Sequence, residues 1–110
     1  MPKNRNPRRS LNKQYIIRRD EAGIVHCERF DGAVHLELKP ISVHSPTGFE
    51  FGYGGSGPAE LALCILTDYL GREEANEYYQ RFKWQFIAPM KGIRLIVTAE
   101  EINAWLKRTI

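Results

Sequence analysis

Residues 52 to 57, Gly52-Tyr53-Gly54-Gly55-Ser56-Gly57, fit the spacing G-x-G-x-x-G. Between a strand and a helix, that spacing brings backbone N–H groups close to a pyrophosphate and points the positive end of a helix dipole at it. Pro58 and the apolar run behind it read as the opening of a helix, so the first half of a dinucleotide site is present. The second half fails. It requires a parallel strand ending in an acid about 20 residues further on. Glu77 has that offset but sits in a helical pattern that starts straight after Gly71. A P-loop fails too, because Gly57 is followed by Pro58 and not by Lys. Two readings remain for the loop. The glycines permit tight backbone packing with φ > 0 at one or more of Gly54, Gly55 and Gly57, or their N–H groups form a nest for phosphate or carboxylate. Glu60, read as part of the first helical turn, answers the same dipole and opposes an anion.

Other chemistry is sparse. His26, His35 and His44 are spaced nine apart, which has no metal-ligand logic. His44 lies in the segment leading to the glycines, where it could orient a phosphate or act as a base on Ser56. A set of Ser56, His44 and Asp68 fails on distance, because Asp68 lies some three helical turns beyond Ser56. No catalytic residue, metal or cofactor is therefore assigned. The candidate ligand residues are His44, Gly52, Tyr53, Gly54, Gly55, Ser56 and Gly57.

The charge is unevenly placed. Residues 1 to 19 carry Lys3, Arg5, Arg8, Arg9, Lys13, Arg18 and Arg19 and no acid, which leaves nine basic against 13 acidic residues in the remainder. Lys3, Arg5, Arg8, Arg9 and Lys13 read as a basic arm that could touch nucleic acid or an acidic partner. The polar, proline-bearing stretch 1–13 is expected to be mobile, and residues 14–110 to form a single domain. The longest apolar run, Leu61 to Leu66, is far below the ~20 residues of a membrane span. Cys27 and Cys64 have no paired spacing and read as buried free thiols in a reducing compartment.

These residues need elements to position them. Residues 14–19 read as a strand, and Asp31-Gly32 between two alternating runs reads as a hairpin with a type I′ turn. That turn would set Val25 opposite Leu38 and Cys27 opposite Leu36 on an apolar face. The pairs His26–Glu37 and Glu28–His35 would lie on the other. Phe49 to Phe51 read as a short strand. Helices are expected over 58–70, apolar nearly all round and central, and over 72–86. The second has an inner stripe of Ala75, Tyr79, Phe82 and Phe86, and a wet side that includes Gln80 and Lys83. Trp84 is the aromatic most exposed by its neighbours. A strand over 93–97 leads through a capping box, Thr98 with Glu101, into a helix over 99–108. The expected fold is α+β: a small antiparallel sheet of N-terminal strand, hairpin and late strand, packed on a central buried helix and two further helices.

The stretch VHSPTGFEFGYGGSGPAELALCILTDYL, followed by YYQRFKWQFIAP, resembles the family catalogued as domain of unknown function 6166. The likeness runs from about Ser42 to Pro89, and departs at Phe51, where tryptophan is commoner, and at Glu60, where glutamine is. The resemblance implies an intracellular domain of bacteria, archaea, their viruses and plasmids, and implies no activity. The function expected is that of a non-enzymatic accessory protein of a phage, plasmid or other mobile element, in the host cytoplasm. It would bind a nucleotide or nucleic acid at the glycine loop. The alternative is an interaction module that inhibits a host defence enzyme, with the loop as scaffold.

Overall fold

The computed structural model describes residues 7–41 and 48–109. His44, Lys3 and Arg5 lie outside the described residues. A short 3-10 helix (Pro7–Arg9) precedes β1 (Lys13–Arg19), β2 (Val25–Asp31), β3 (Val34–Leu38), α1 (Ser56–Leu70), α2 (Arg72–Phe82), β4 (Arg94–Thr98) and α3 (Ala99–Thr109). The strands form one antiparallel sheet in the order β3-β2-β1-β4, with helices packed on one face, so the fold is the expected α+β arrangement.

Alternation along β1 decides which face is inner. Lys13, Tyr15 and Ile17 are buried, and the register sets Tyr15 between Arg29 and Val97, and Ile17 between Cys27 and Leu95. On this face lies α1, whose residues from Gly57 to Leu66 are all buried. Each large aliphatic side chain so buried contributes roughly 1.5–3 kcal/mol. Phe82 of α2 meets Trp105 of α3 edge-on at 5.4 Å, which closes the core at the far end. The Thr98 hydroxyl accepts from the Glu101 N–H at 3.1 Å and the Glu101 carboxylate accepts from the Thr98 N–H at 2.9 Å, the reciprocal box that starts α3.

The hairpin differs from expectation by two residues. Asp31 pairs with Val34 and Cys27 with Leu38, so the loop is Gly32-Ala33 and not Asp31-Gly32. Gly32 has φ +61° while Ala33 has no positive φ, which is a type II′ pattern with glycine first. A shift of two keeps every side chain on its face. The two histidine–carboxylate pairs therefore survive as diagonal contacts, His26 to Glu37 at 3.2 Å and His35 to Glu28 at 3.0 Å.

Residues 7–13, expected to belong to a mobile arm, are tied to the domain. Lys13 opens β1 and is 4% exposed, its ammonium 3.2 Å from the Asp68 carboxylate and 3.0 Å from the Asp68 carbonyl. Arg9 pairs with Glu74, and Arg8 donates to the Thr67 carbonyl at 3.3 Å. Three of the five cations assigned to nucleic acid thus contact the chain's own helices.

Candidate functional site

The segment entering the glycine loop is clamped on both sides. It is not a strand, contrary to the expectation for 49–51. Phe49 and Phe51 are buried in the core, and Glu50 between them faces β1, where Arg19 donates to its carboxylate at 2.9 and 3.1 Å. That pairing holds the Glu50 carboxyl below its usual range. The Gly52 N–H then donates to the Ile87 carbonyl at 3.1 Å. Gly52 has φ +92°, the left-handed region glycine tolerates, and a Cβ there would sit 3.3 Å from the Met90 carbonyl oxygen.

The next glycines are close-packed rather than left-handed. None of Gly54, Gly55 and Gly57 has a positive φ, which corrects the sequence expectation. A Cβ on Gly54 would fall onto the Trp84 indole, one on Gly55 onto the Tyr53 ring, and one on Gly57 2.7 Å from the Glu50 Cβ. These contacts differ in how far they can give. Trp84 is 61% exposed and its ring can swing aside, whereas Glu50 is held by Arg19. Gly57→Ala is expected to destabilise by about 1–2 kcal/mol, since overpacking of roughly 1–3 kcal/mol outweighs a helix-propensity gain of up to about 1 kcal/mol. Gly54→Ala is expected to leave the melting temperature nearly unchanged. Thermal melts of the two variants check this, and equal losses would contradict it.

Helix α1 starts at Ser56 with Gly55 as N-cap, two residues before the expected Pro58 start, and has no acid in its first turn. Ala59 N–H bonds back to Gly55 O at 3.1 Å, and Pro58 has no N–H, so the Ser56 and Gly57 N–H groups are the donors without an acceptor inside the helix. Glu60 does not answer them, contrary to expectation. It is fully buried and accepts from the Ile41 N–H at 2.8 Å, which ties down the connection after β3.

The sequence pattern misplaces Lys83. It falls on the expected wet side of the second helix, yet it is 6% exposed. Beyond Phe82 the helix continues as a π-turn, Lys83–Ile87, in which Ala88 N–H reaches Lys83 O at 2.8 Å. Such wide turns are frequent at functional sites. This one brings both Lys83 and Trp84 to the glycine loop. The Lys83 ammonium lies 3.4 Å from the Gly54 carbonyl and 4.6 Å from the centre of the Trp84 ring. Among the described residues it joins no carboxylate. A signal is present in the spacing, since Ala75, Tyr79 and Lys83 fall at i, i+4 and i+8 on one stripe.

The result is a cleft of about 280 Å³ lined by Gly54, Gly55, Ser56, Ala59, Tyr79, Gln80 and Lys83. Tyr53, 53% exposed, and Trp84 stand beside it as aromatic rims. Of the sequence-assigned residues, Gly54, Gly55 and Ser56 line the cleft, Tyr53 flanks it, and Gly52 and Gly57 hold the loop's shape.

Asp68 belongs to another network. It lies twelve residues along α1 from Ser56, ~18 Å away, and binds the Tyr15 hydroxyl at 2.7 Å, Arg29 at 3.2 Å and Lys13. Burial pushes its carboxyl up, but Tyr15, Arg29 and Lys13 outweigh that and hold it below the usual aspartate range. It cannot orient a base at Ser56. Both cysteines are buried and unpaired, and burial pushes the Cys64 thiol up to about 12, so neither is a ready nucleophile. Among the described residues no group of three or more His, Cys, Asp and Glu could hold a metal ion, and no helix is long and apolar enough to cross a membrane.

No curated protein and no solved structure matches the chain. One family model does, over residues 15–108, a span that takes in most of the sheet, the glycine loop and the helices to Arg108. The chain belongs to that family, a family of unknown function designated DUF6166.

Proposed function

We propose that this protein is a non-enzymatic binder of a phosphate-bearing ligand, a nucleotide or nucleic acid, acting as an accessory protein in the mobile-element setting that the family resemblance implies. The observation that carries the reading is Lys83. A buried ammonium is costly unless it is paired, and here a carbonyl at 3.4 Å and an aromatic face are the partners among the described residues. An anion in the cleft would supply the missing counter-charge.

The magnitudes favour this over a bare helix terminus. A helix dipole contributes about 0.3–1 kcal/mol. Even millimolar binding needs about 4 kcal/mol. A charge-assisted bond from Lys83 adds about 1.5–3 kcal/mol. A base stacked on Trp84 or Tyr53 adds about 1–3 kcal/mol. The cleft falls just below the ~300–1,000 Å³ of small-molecule pockets, so it holds a phosphate and leaves the base outside, on the aromatic rim.

The test is a thermal-shift panel of nucleoside mono-, di- and triphosphates and short single-stranded DNA and RNA. Saturation at ~1,000 times the dissociation constant should stabilise the protein by about 4 kcal/mol. No shift with any member would leave the loop a packing device and move the function to protein contacts.

A further inference from the structure

We propose that the chain forms a two-fold symmetric dimer in which β3 pairs antiparallel with β3 of a second copy, centred on Leu36. Strand β3 is an edge of the sheet, so one row of its backbone donors and acceptors is unpaired within the sheet. Its inner-face residues run past the helical layer. Leu38 packs on the core, but Leu36 is 48% and Val34 60% exposed. A cleft of about 320 Å³ separates this strand from Cys64, Thr67 and Asp68 of α1, with Ile41, 44% exposed, at its end. Among the described residues Val34 and Leu36 stay about half exposed, with Arg8 also lining the cleft.

The match of histidine to carboxylate along the polar face points to a second copy as the occupant. Opposite residues of an antiparallel pair share a face. Centred on Leu36, the pairing sets Val34 against Leu38 and Leu36 against itself on the apolar face. On the polar face it sets His35 against Glu37 of the second copy, twice by symmetry. Moving the centre to His35 opposes that histidine with itself. Moving it to Glu37 opposes two carboxylates and sets His35 against Lys39. Of these three registers, only the one centred on Leu36 sets a histidine against a carboxylate that can accept its N–H, so the strand VHLEL is complementary to its own reverse. Within one chain His35 already meets Glu28, and Glu37 meets His26, which meets Asp20 at 2.8 Å. Pairing joins these into a row in which histidines and carboxylates alternate across both sheets. Pro40, without an N–H, ends the pairing just beyond the strand. At the other edge the inner residue Val97 is buried and Leu95 half-buried against the chain's own core.

The test uses two charge-changed chains. Glu37→Lys sets an introduced lysine against His35 in a homodimer, and His35→Glu sets an introduced glutamate against Glu37. In a mixed dimer of the two variants, the native His35 of one chain faces the native Glu37 of the other. The introduced lysine then faces the introduced glutamate. Sedimentation velocity should find the wild-type chain dimeric at about 100 µM, where a ~10 µM dissociation constant leaves most chains paired. Each variant alone should be monomeric with a wild-type far-UV circular dichroism spectrum, and their mixture should recover the dimer. A monomeric wild type, variants that stay dimeric alone, or a mixture that stays monomeric would each overturn the proposal.

Discussion

Replacing Asp68 by asparagine is expected to destabilise the protein by about 3–5 kcal/mol, the cost of removing one partner from a buried ion pair. The carboxylate is 13% exposed and serves Lys13, Arg29 and Tyr15 together, so its loss leaves two cations facing one another in the layer between sheet and α1. For a chain of this size each kcal/mol moves the melting temperature by several degrees, so a drop of more than about 10 °C is expected. The effect depends on pH with a definite sign. The folded carboxyl titrates below its ordinary value of 3.8, so its contribution is complete above that value and fades as pH falls through the lower folded value. Urea melts of wild type and Asp68→Asn should therefore differ most at neutral pH and converge in acid. A gap that persists unchanged below pH ~3 would contradict the ion-pair account.

Lys83→Met is expected to do the reverse. The substitution removes a buried ammonium that joins no carboxylate among the described residues and keeps an apolar stem beside Tyr79 and the loop. A poorly solvated ammonium without a carboxylate partner is costly, so an apolar side chain of similar volume in its place should be neutral or stabilising. The melting temperature should hold or rise. Binding of a phosphate ligand should fall about 10- to 100-fold, the loss of a charge-assisted hydrogen bond of about 1.5–3 kcal/mol. A structural lysine predicts the opposite pattern, with stability lost and binding unaffected. Calorimetric titration and thermal melts on one preparation separate the two.

The sheet and helices are legible in the sequence because their signals are periodic. Alternation around Asp31-Gly32 announces a hairpin, and the His–Glu pairs identify its two faces. The register is ambiguous because one glycine serves either turn. Gly32 as second central residue after Asp31 gives type I′, and as first before Ala33 gives type II′. The glycine loop is locatable, but not the reason for its glycines. Gly54 and Gly55 are small because Trp84 and Tyr53 lie against them, and the contact with Trp84, 30 positions away, leaves no local pattern. Lys13 reads as an arm cation because it follows a basic run. Its place in the alternation Lys13, Tyr15, Ile17 is the better guide, since the inner face of β1 continues through it. Lys83 is hidden by chemistry overriding spacing: a charge on the inner stripe is assigned outward unless something in the site asks for it.

Phosphate binding by the loop and Lys83 is readable residue by residue from amide chemical shifts. Titrating ¹⁵N-labelled protein with the strongest ligand of the nucleotide panel should move the Gly54, Gly55, Ser56 and Gly57 amides and the Trp84 indole N–H together along one saturable curve. The same titration of Lys83→Met should move them far less. Shifts confined to other parts of the sheet, or loop amides that move equally in both proteins, would contradict the account.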